Sequence, residues 1–387
     1  MLDLSVELAF FLIGALLFVG SGATQSYIVV YLQSLGYSAL FGTIVLSIIY
    51  MVQIPTRFFI GYIEKWIGPR YSLIIGTAGY FLYALFFPLS STWWHYILTM
   101  VMWGFTSALF WTGANVTMLN TSTKERYGRA LGSLYAGSGI GPAVGVLIMS
   151  WLIANYHQNS IFFFSIIPAA LATVIVATLD LEKEGSSKSV QVRTFRGFLK
   201  DPEILTVAFL LFVRSFSYGL VYGSFGSLIG SRMGREWIGP LTCSFYVLSG
   251  IFSRFGGTLS DKIGRRVSFV ISFIIGGVGG SLLLFSDSKS AFILASAMLG
   301  YQASTTTVNA SAWVGNVAEP EERSNLIAFT WGANAFGVMV SLILNGFFLG
   351  SAATSRWGFI IFAIANLAAG LLSYVMVKTE GVPDKSI

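Results

Sequence analysis

Arg214, Tyr218 and Tyr222 stand four residues apart in the segment "AFLLFVRSFSYGLVYGSF" at 208–225. On a helix that spacing stacks one guanidinium and two phenol hydroxyls on a single face. Arginine cannot shed its charge in an apolar setting, so it needs an anion, a cluster of carbonyls or water. The setting here is apolar: of 387 residues 55% are hydrophobic and 10% charged, against about 25% charged in a soluble domain. The chemistry expected of such a column is capture of a negatively charged solute. Gln25, Trp111, Asn115, Gln302 and Asn309 are further polar or aromatic candidates for the same cavity, each equally able to bond a neighbouring helix.

Bond-making chemistry finds little support. Two histidines and one cysteine, Cys243, cannot assemble a metal-ligand cluster, and no phosphate-cradling glycine loop is present. No catalytic residue, metal or cofactor is expected. No Asp or Glu falls in the central part of any apolar window, so the usual membrane-embedded proton carrier is also missing. His95 and His157 lie near the ends of their windows, where Trp93, Trp94 and Tyr96 read as an interfacial aromatic belt.

The elements that must position Arg214 are transmembrane helices. A span needs roughly 20 apolar residues to cross about 30 Å of hydrocarbon at 1.5 Å per residue. Twelve windows qualify, near 8–33, 38–60, 71–91, 94–119, 128–154, 160–179, 204–231, 237–258, 267–286, 290–315, 326–350 and 354–377. They are long and continuous, unlike the period-two segments of a membrane barrel. Arg214 lies about ten residues into the seventh, some 15 Å deep. Arg57 and Arg254 lie within a turn of their window ends, and the expectation is that both snorkel outwards. The first window lacks a basic leader and a small-residue cleavage site, which argues against a removable signal peptide.

Basic residues report topology. Eighteen of the 23 Lys and Arg flank the even-numbered connections and the carboxyl tail, and only Arg232, Arg235, Lys289 and Arg356 flank the odd ones. By the positive-inside rule the even connections and both termini face the cytoplasm of an inner-membrane protein. The net charge of +6 is thus a topology signal; the expected partners are a small-molecule substrate and the lipid bilayer, with no nucleic acid, and the chain is expected to work as a monomer.

The polar stretch "DLEKEGSSKSVQVRTFRGFLKDPE" at 180–203 divides the chain into an N-terminal six-helix bundle, 1–179, and a C-terminal one, 204–387. Both halves repeat the same order of events, the trace of an internal duplication. "IGYIEKWIGPRY" at 60–71 and "GGTLSDKIGRRV" at 256–267 align without gaps, setting Gly61 on Gly257, Gly68 on Gly264 and Arg70 on Arg266. The glycines permit a tight helix-to-helix turn. Asp261 can pair with a nearby cation such as Arg265, or sit against the positive end of a helix. In "GSGIGPAVG", 137–145, Gly137, Gly141 and Gly145 line one face for close helix approach, and Pro142 favours a kink.

The spacing G-x-x-x-D-K-x-G-R-R at 257–266, its place between the second and third helices of a half, the twelve windows and the middle linker resemble the major facilitator superfamily over essentially the whole chain. The resemblance implies an all-α membrane protein of two pseudo-symmetric six-helix bundles, alternating access to a central site. It also implies that Asp261 latches against the start of the fifth helix, near Arg126 and Arg129. The first-half loop departs from the pattern: Lys65 takes the acidic position, and Glu64 stands one residue, about 100°, away. The second-half loop is therefore expected to restrain the gate more than the first. "GSGIGPAVG" is similar to a motif of exporters in the family. The functional expectation is a secondary transporter of an organic anion with Arg214 as counter-charge, the alternative a multidrug or amphiphile exporter.

Overall fold

The computed structural model describes residues 5–179, 195–225, 228–229, 232–233, 237–285, 288–319, 322–348 and 352–377, with side chains at 61, 65, 69, 124, 195–196, 224 and 352–356 left aside. Among these the regular structure is helical throughout. Helices α1 (Val6–Gln25), α2 (Ile28–Ser34), α3 (Ala39–Phe86), α4 (Trp93–Asn120), α5 (Tyr127–Asn155) and α6 (Ser160–Thr178) precede the long connection. After it come the short α7 (Phe195–Phe198), then α8 (Pro202–Leu220), α9 (Ile238–Ile263), α10 (Arg265–Phe285), α11 (Lys289–Val317), α12 (Arg323–Phe348) and α13 (Ala352–Met376). Most of the 180–203 stretch lies outside the described residues.

Helix starts follow the local sequence. Ser38 Oγ accepts from the Phe41 N–H, Ser288 Oγ from Ala291, and the Asp201 carboxylate from Glu203 and Ile204, occupying amides that have no partner inside the helix. A single π-helical turn, Val221–Phe225, extends α8.

Among the described residues ten segments are long and apolar enough to cross a membrane, with α3 supplying two of them, Ala39–Ile60 and Arg70–Leu89. This is a multi-pass membrane protein. Helices α9 and α11 fall outside that criterion because their composition is more polar. In α11 the run Ser304–Thr307, Asn309 and Ser311 is buried against other helices, which removes those hydroxyls and amides from lipid.

The break in α3 is one residue wide. Gly68 has φ 79° and ψ 158°, and Gly264, between α9 and α10, has φ 87° and ψ 152°. The two aligned glycines thus adopt the same left-handed extended turn, a region closed to most side chains. Within α5 the glycine stripe meets α1: Gly137, Gly141 and Gly145 back onto the carbonyls of Phe11, Ala15 and Val19, and the helix stays continuous through Pro142.

Two seams join the N-terminal helices to the C-terminal ones. Along α5 and α9 the backbones nearly touch: a Cβ on Gly132 would lie 2.9 Å from the Ser253 carbonyl oxygen, and one on Gly139 2.6 Å from Gly250 Cα. Gly239 meets Ser150 at the far end of that seam. Along α3 and α12, Glu64 meets Ser324 at one end and Thr43 meets Gly346 at the other. Each seam is thus in contact at both of its ends, and a cavity lies between the two sets of helices.

Candidate functional site

A cavity with room for about 90 Å³ of water-sized centres lies between the two sets of helices. Gln25, Tyr50, Gln53, Arg57, Tyr80, Trp111 and Tyr135 line it from one side, and Arg214, Tyr218, Tyr222, Tyr246, Trp331 and Asn334 from the other. Among the described residues no Asp or Glu lines it. Its centre is an aromatic triad: Trp111, Tyr135 and Trp331 lie nearly parallel, with interplanar angles of 11–12° and centroids 5.5–5.9 Å apart. Two of these rings come from the N-terminal helices and one from α12, so the flat surface spans the interface.

Arg214 is 4% exposed and stays inside. Nε donates to the Ala303 carbonyl at 2.9 Å and Nη1 to Asn334 Oδ1 at 2.7 Å, while the guanidinium lies 4.1 Å from the centroid of Tyr218. Ser215 donates to the same Asn334 oxygen at 2.8 Å, which fixes the amide. These neutral acceptors spread the cation's charge without cancelling it. Tyr218 and Tyr222 follow Arg214 on the cavity side.

Arg57 does not snorkel. It is 2% exposed, lines the cavity and points its guanidinium towards Trp331, 5.7 Å from the ring centroid. Nη2 donates to Gln53 Oε1 at 3.1 Å and Nη1 reaches Thr112 Oγ1 at 3.4 Å, while Nε is buried without a partner. The reason is local: Gln53 and Arg57 are four apart, so the long side chain folds back along its own helix to a polar neighbour facing inwards. Arg254, by contrast, is exposed and bonds Ser133 Oγ at 2.9 Å.

The remaining candidates divide. Gln25 faces the cavity and accepts from the Tyr50 hydroxyl at 2.8 Å. Trp111 is part of the triad, and Asn115 sits behind it, accepting from Tyr135 at 2.7 Å. Gln302 and Asn309 point elsewhere: Gln302 bonds Ser217 at 2.6 Å and packs under Gly276, and Asn309 bonds Ser268 at 2.6 Å. Neither lines the cavity, because α11 turns its amides towards α8 and α10.

At one end of the bundle the two acidic loops meet opposite helix starts. Asp261 Oδ1 lies 2.5 Å from Arg265 Nη2, and a Cβ on Gly128 would fall 2.5 Å from the same oxygen and 2.6 Å from the Gly257 carbonyl. Asp261 thus sits at the first turn of α5, where the Gly128 and Arg129 amides favour its charged form. Burial still pushes its carboxyl above the ordinary value, against the pull of Arg265. Arg126 and Arg129 themselves are exposed, and Arg266 stacks 4.4 Å over Tyr374. Gly61 lies outside the residues whose surroundings are described.

Glu64 crosses to α12, accepting from Ser324 Oγ at 2.9 Å, and burial raises its carboxyl to about 7 despite that bond. Its one-residue offset is no obstacle, since positions three and four beyond the loop's first glycine share a helix face; the aligned Ser260 in the other half is likewise fully buried. Arg70 caps α6, donating to the Ala177 carbonyl at 2.7 Å. Arg323 bonds Asn120 at 2.9 Å and the Tyr127 hydroxyl at 2.5 Å, a third tie across the interface.

A model of the Major Facilitator Superfamily matches residues 10–237 and 236–386. The chain belongs to that superfamily. It is similar to an "MFS-type transporter" of Gibberella moniliformis, 23% identical over 80% of this chain and 76% of the other. It also resembles the cis,cis-muconate transport protein of Acinetobacter baylyi, 21% identical over 65% and 64%, and the quinolone resistance protein NorA of Staphylococcus aureus, 24% identical over 38% and 37%. Among solved structures, the human organic anion transporter MFSD10 (TETRAN) superposes with a TM-score of 0.73, at 13% identity over 95% of this chain and 98% of that one.

In this superfamily member, sequence reasoning missed Asn334, Gln53, Trp331 and the inward course of Arg57. A signal existed for each. Gln53 with Arg57, and Trp331 with Asn334, are polar or amphipathic pairs at helical spacing inside apolar windows.

Proposed function

We propose that this protein is a secondary transporter that moves a small organic anion across the cytoplasmic membrane by alternating access. Residues 1–179 and 204–387 form six helices each, joined by the 180–203 linker, and rock as two bodies about the central cavity. The count of twelve spans adds α9 and α11, whose polar faces turn inwards, to the ten apolar segments. Both termini face the cytoplasm, in keeping with the basic connections, and the unit of function is the monomer.

The observation that carries the reading is Arg214: a buried guanidinium held by neutral acceptors, in a cavity that no carboxylate of the described residues lines. A fixed cation in a low-dielectric site is costly alone and becomes favourable when an anion docks. The names of two similar proteins, the muconate transport protein and the human organic anion transporter, point the same way. The aromatic lining favours a second reading, efflux of amphiphilic drugs, and the similarity to NorA accords with it.

The test is uptake into proteoliposomes of radiolabelled carboxylates and phosphate esters. Arg214→Gln should reduce anion uptake at least a hundredfold while leaving the protein folded. Undiminished uptake in that variant, or transport confined to cationic amphiphiles, would favour the second reading.

A further inference from the structure

We infer that the substrate is a flat dicarboxylate bridged between Arg57 and Arg214 across the Trp331 ring, an inference that rests on the organic-anion reading. Among the described residues two guanidiniums, not one, line the cavity, and no acidic side chain lines it beside them. Each is within reach of the same indole, Arg57 5.7 Å and Arg214 6.0 Å from its centroid, so their separation cannot exceed the sum of those distances. That limit is shorter than an end-to-end bridge through a six-membered ring, so a flat aromatic dicarboxylate would meet the two cations from one side of its plane rather than in line. Arg57 comes from α3 and Arg214 from α8, so the two cations stand on opposite sides of the interface that must open and close.

The spare bonding capacity matches. Arg57 has a buried Nε without a partner and only a long contact from Nη1, and the bonds of Arg214 from Nε and Nη1 go to neutral acceptors that leave its charge uncompensated. Arginine presents its donors in a planar fork suited to carboxylate oxygens. A single carboxylate would neutralise one guanidinium and leave the other buried and uncompensated, whereas a dianion satisfies both. The body of the ligand meets the Trp111, Tyr135 and Trp331 triad, three nearly parallel faces that favour a flat apolar spacer. Since each carboxylate is held by a different set of helices, the bound dianion also ties the two sets together.

Titration calorimetry of the purified protein in detergent with terephthalate and benzoate, which share one ring and differ by one carboxylate, tests this. Wild type should bind terephthalate at least tenfold more tightly than benzoate, and Arg57→Gln should erase that preference while keeping benzoate binding. Arg57→Lys, which keeps the charge, should retain a preference and guards against a folding defect in the glutamine variant. Equal affinities in wild type, or an undiminished preference in Arg57→Gln, would overturn the dicarboxylate assignment and leave an organic monoanion standing. If neither acid binds wild type while a cationic amphiphile does, the anion reading itself fails.

Discussion

The seam between α5 and α9 and the seam between α3 and α12 occupy equivalent places in the two halves, yet they are built differently. The first is a backbone-to-backbone contact lined by Gly128, Gly132, Gly139, Gly250 and Gly257, ending in an acid paired with its own arginine. The second holds side chains, and ends in an acid whose oxygen Oε2 takes a serine hydroxyl while Oε1 is buried without a partner. Where backbone meets backbone along the glycine seam, at Gly132, Gly139 and Gly257, there is no rotamer to change, which makes those contacts rigid. A side-chain seam can be loosened by the loss of a proton. The duplicated loop therefore gives one seam that fixes geometry and one that responds to its surroundings.

The sharpest way to break this contrast is to fill the glycine seam. Gly139→Leu places a side chain where Gly250 backbone atoms already stand at 2.6 Å, and should cost about 3 kcal/mol or more of stability. Gly332→Leu, where nothing lies within 4 Å, should leave the melting temperature in detergent unchanged. Equal melting of the two variants would mean the seam is not close-packed.

Removing Asp261 should have the next largest effect. Asp261→Asn leaves Arg265, with 3% of its side chain exposed, without its counter-charge, at a cost of about 3 kcal/mol by the usual penalty for breaking a buried pair. Spin-label distances across this end of the bundle should shift to the open form in that variant and shift less in Glu64→Gln, which retains an acceptor for Ser324. A larger shift in Glu64→Gln would reverse the ranking of the two seams.

The smallest effect is the pH dependence. The buried Glu64 carboxyl is raised from an ordinary 4.5 to about 7, so the closed contact holds its proton more tightly than an opened one would. Closure at this seam is then fully favoured below about 4.5 and is lost as pH rises through about 7. The same spin-label distances should lengthen between pH 5 and 8 in wild type and stay constant in Glu64→Gln.

Much of the architecture was legible because lipid imposes a simple rule of length and apolarity, and because glycines at fixed spacing mark turns and close approaches. Gly68 and Gly264 share a backbone conformation, as their alignment suggested, and the 137–145 stripe lies against a partner helix. Partners across helices were not legible. The depth of Arg214 followed from counting residues, but that Asn334, 120 positions away, would hold it did not. Arg57 was misread because proximity to a window end sets only how far a side chain could reach outwards, and says nothing of the inward pull of Gln53 and Trp331. The first-half loop looked defective because the comparison was made position by position, when the helix face accepts an acid at either of two adjacent places.

The single-residue breaks at Gly68 and Gly264 have a mechanical consequence. With only one non-helical residue between consecutive spans, there is no slack to absorb a displacement, so a tilt of the helix carrying Glu64 is delivered undamped to the helix beginning at Arg70. Each pair of spans acts as a bell crank pivoted on one glycine, and lengthening the pivot by even two residues would uncouple its arms while leaving both of them folded.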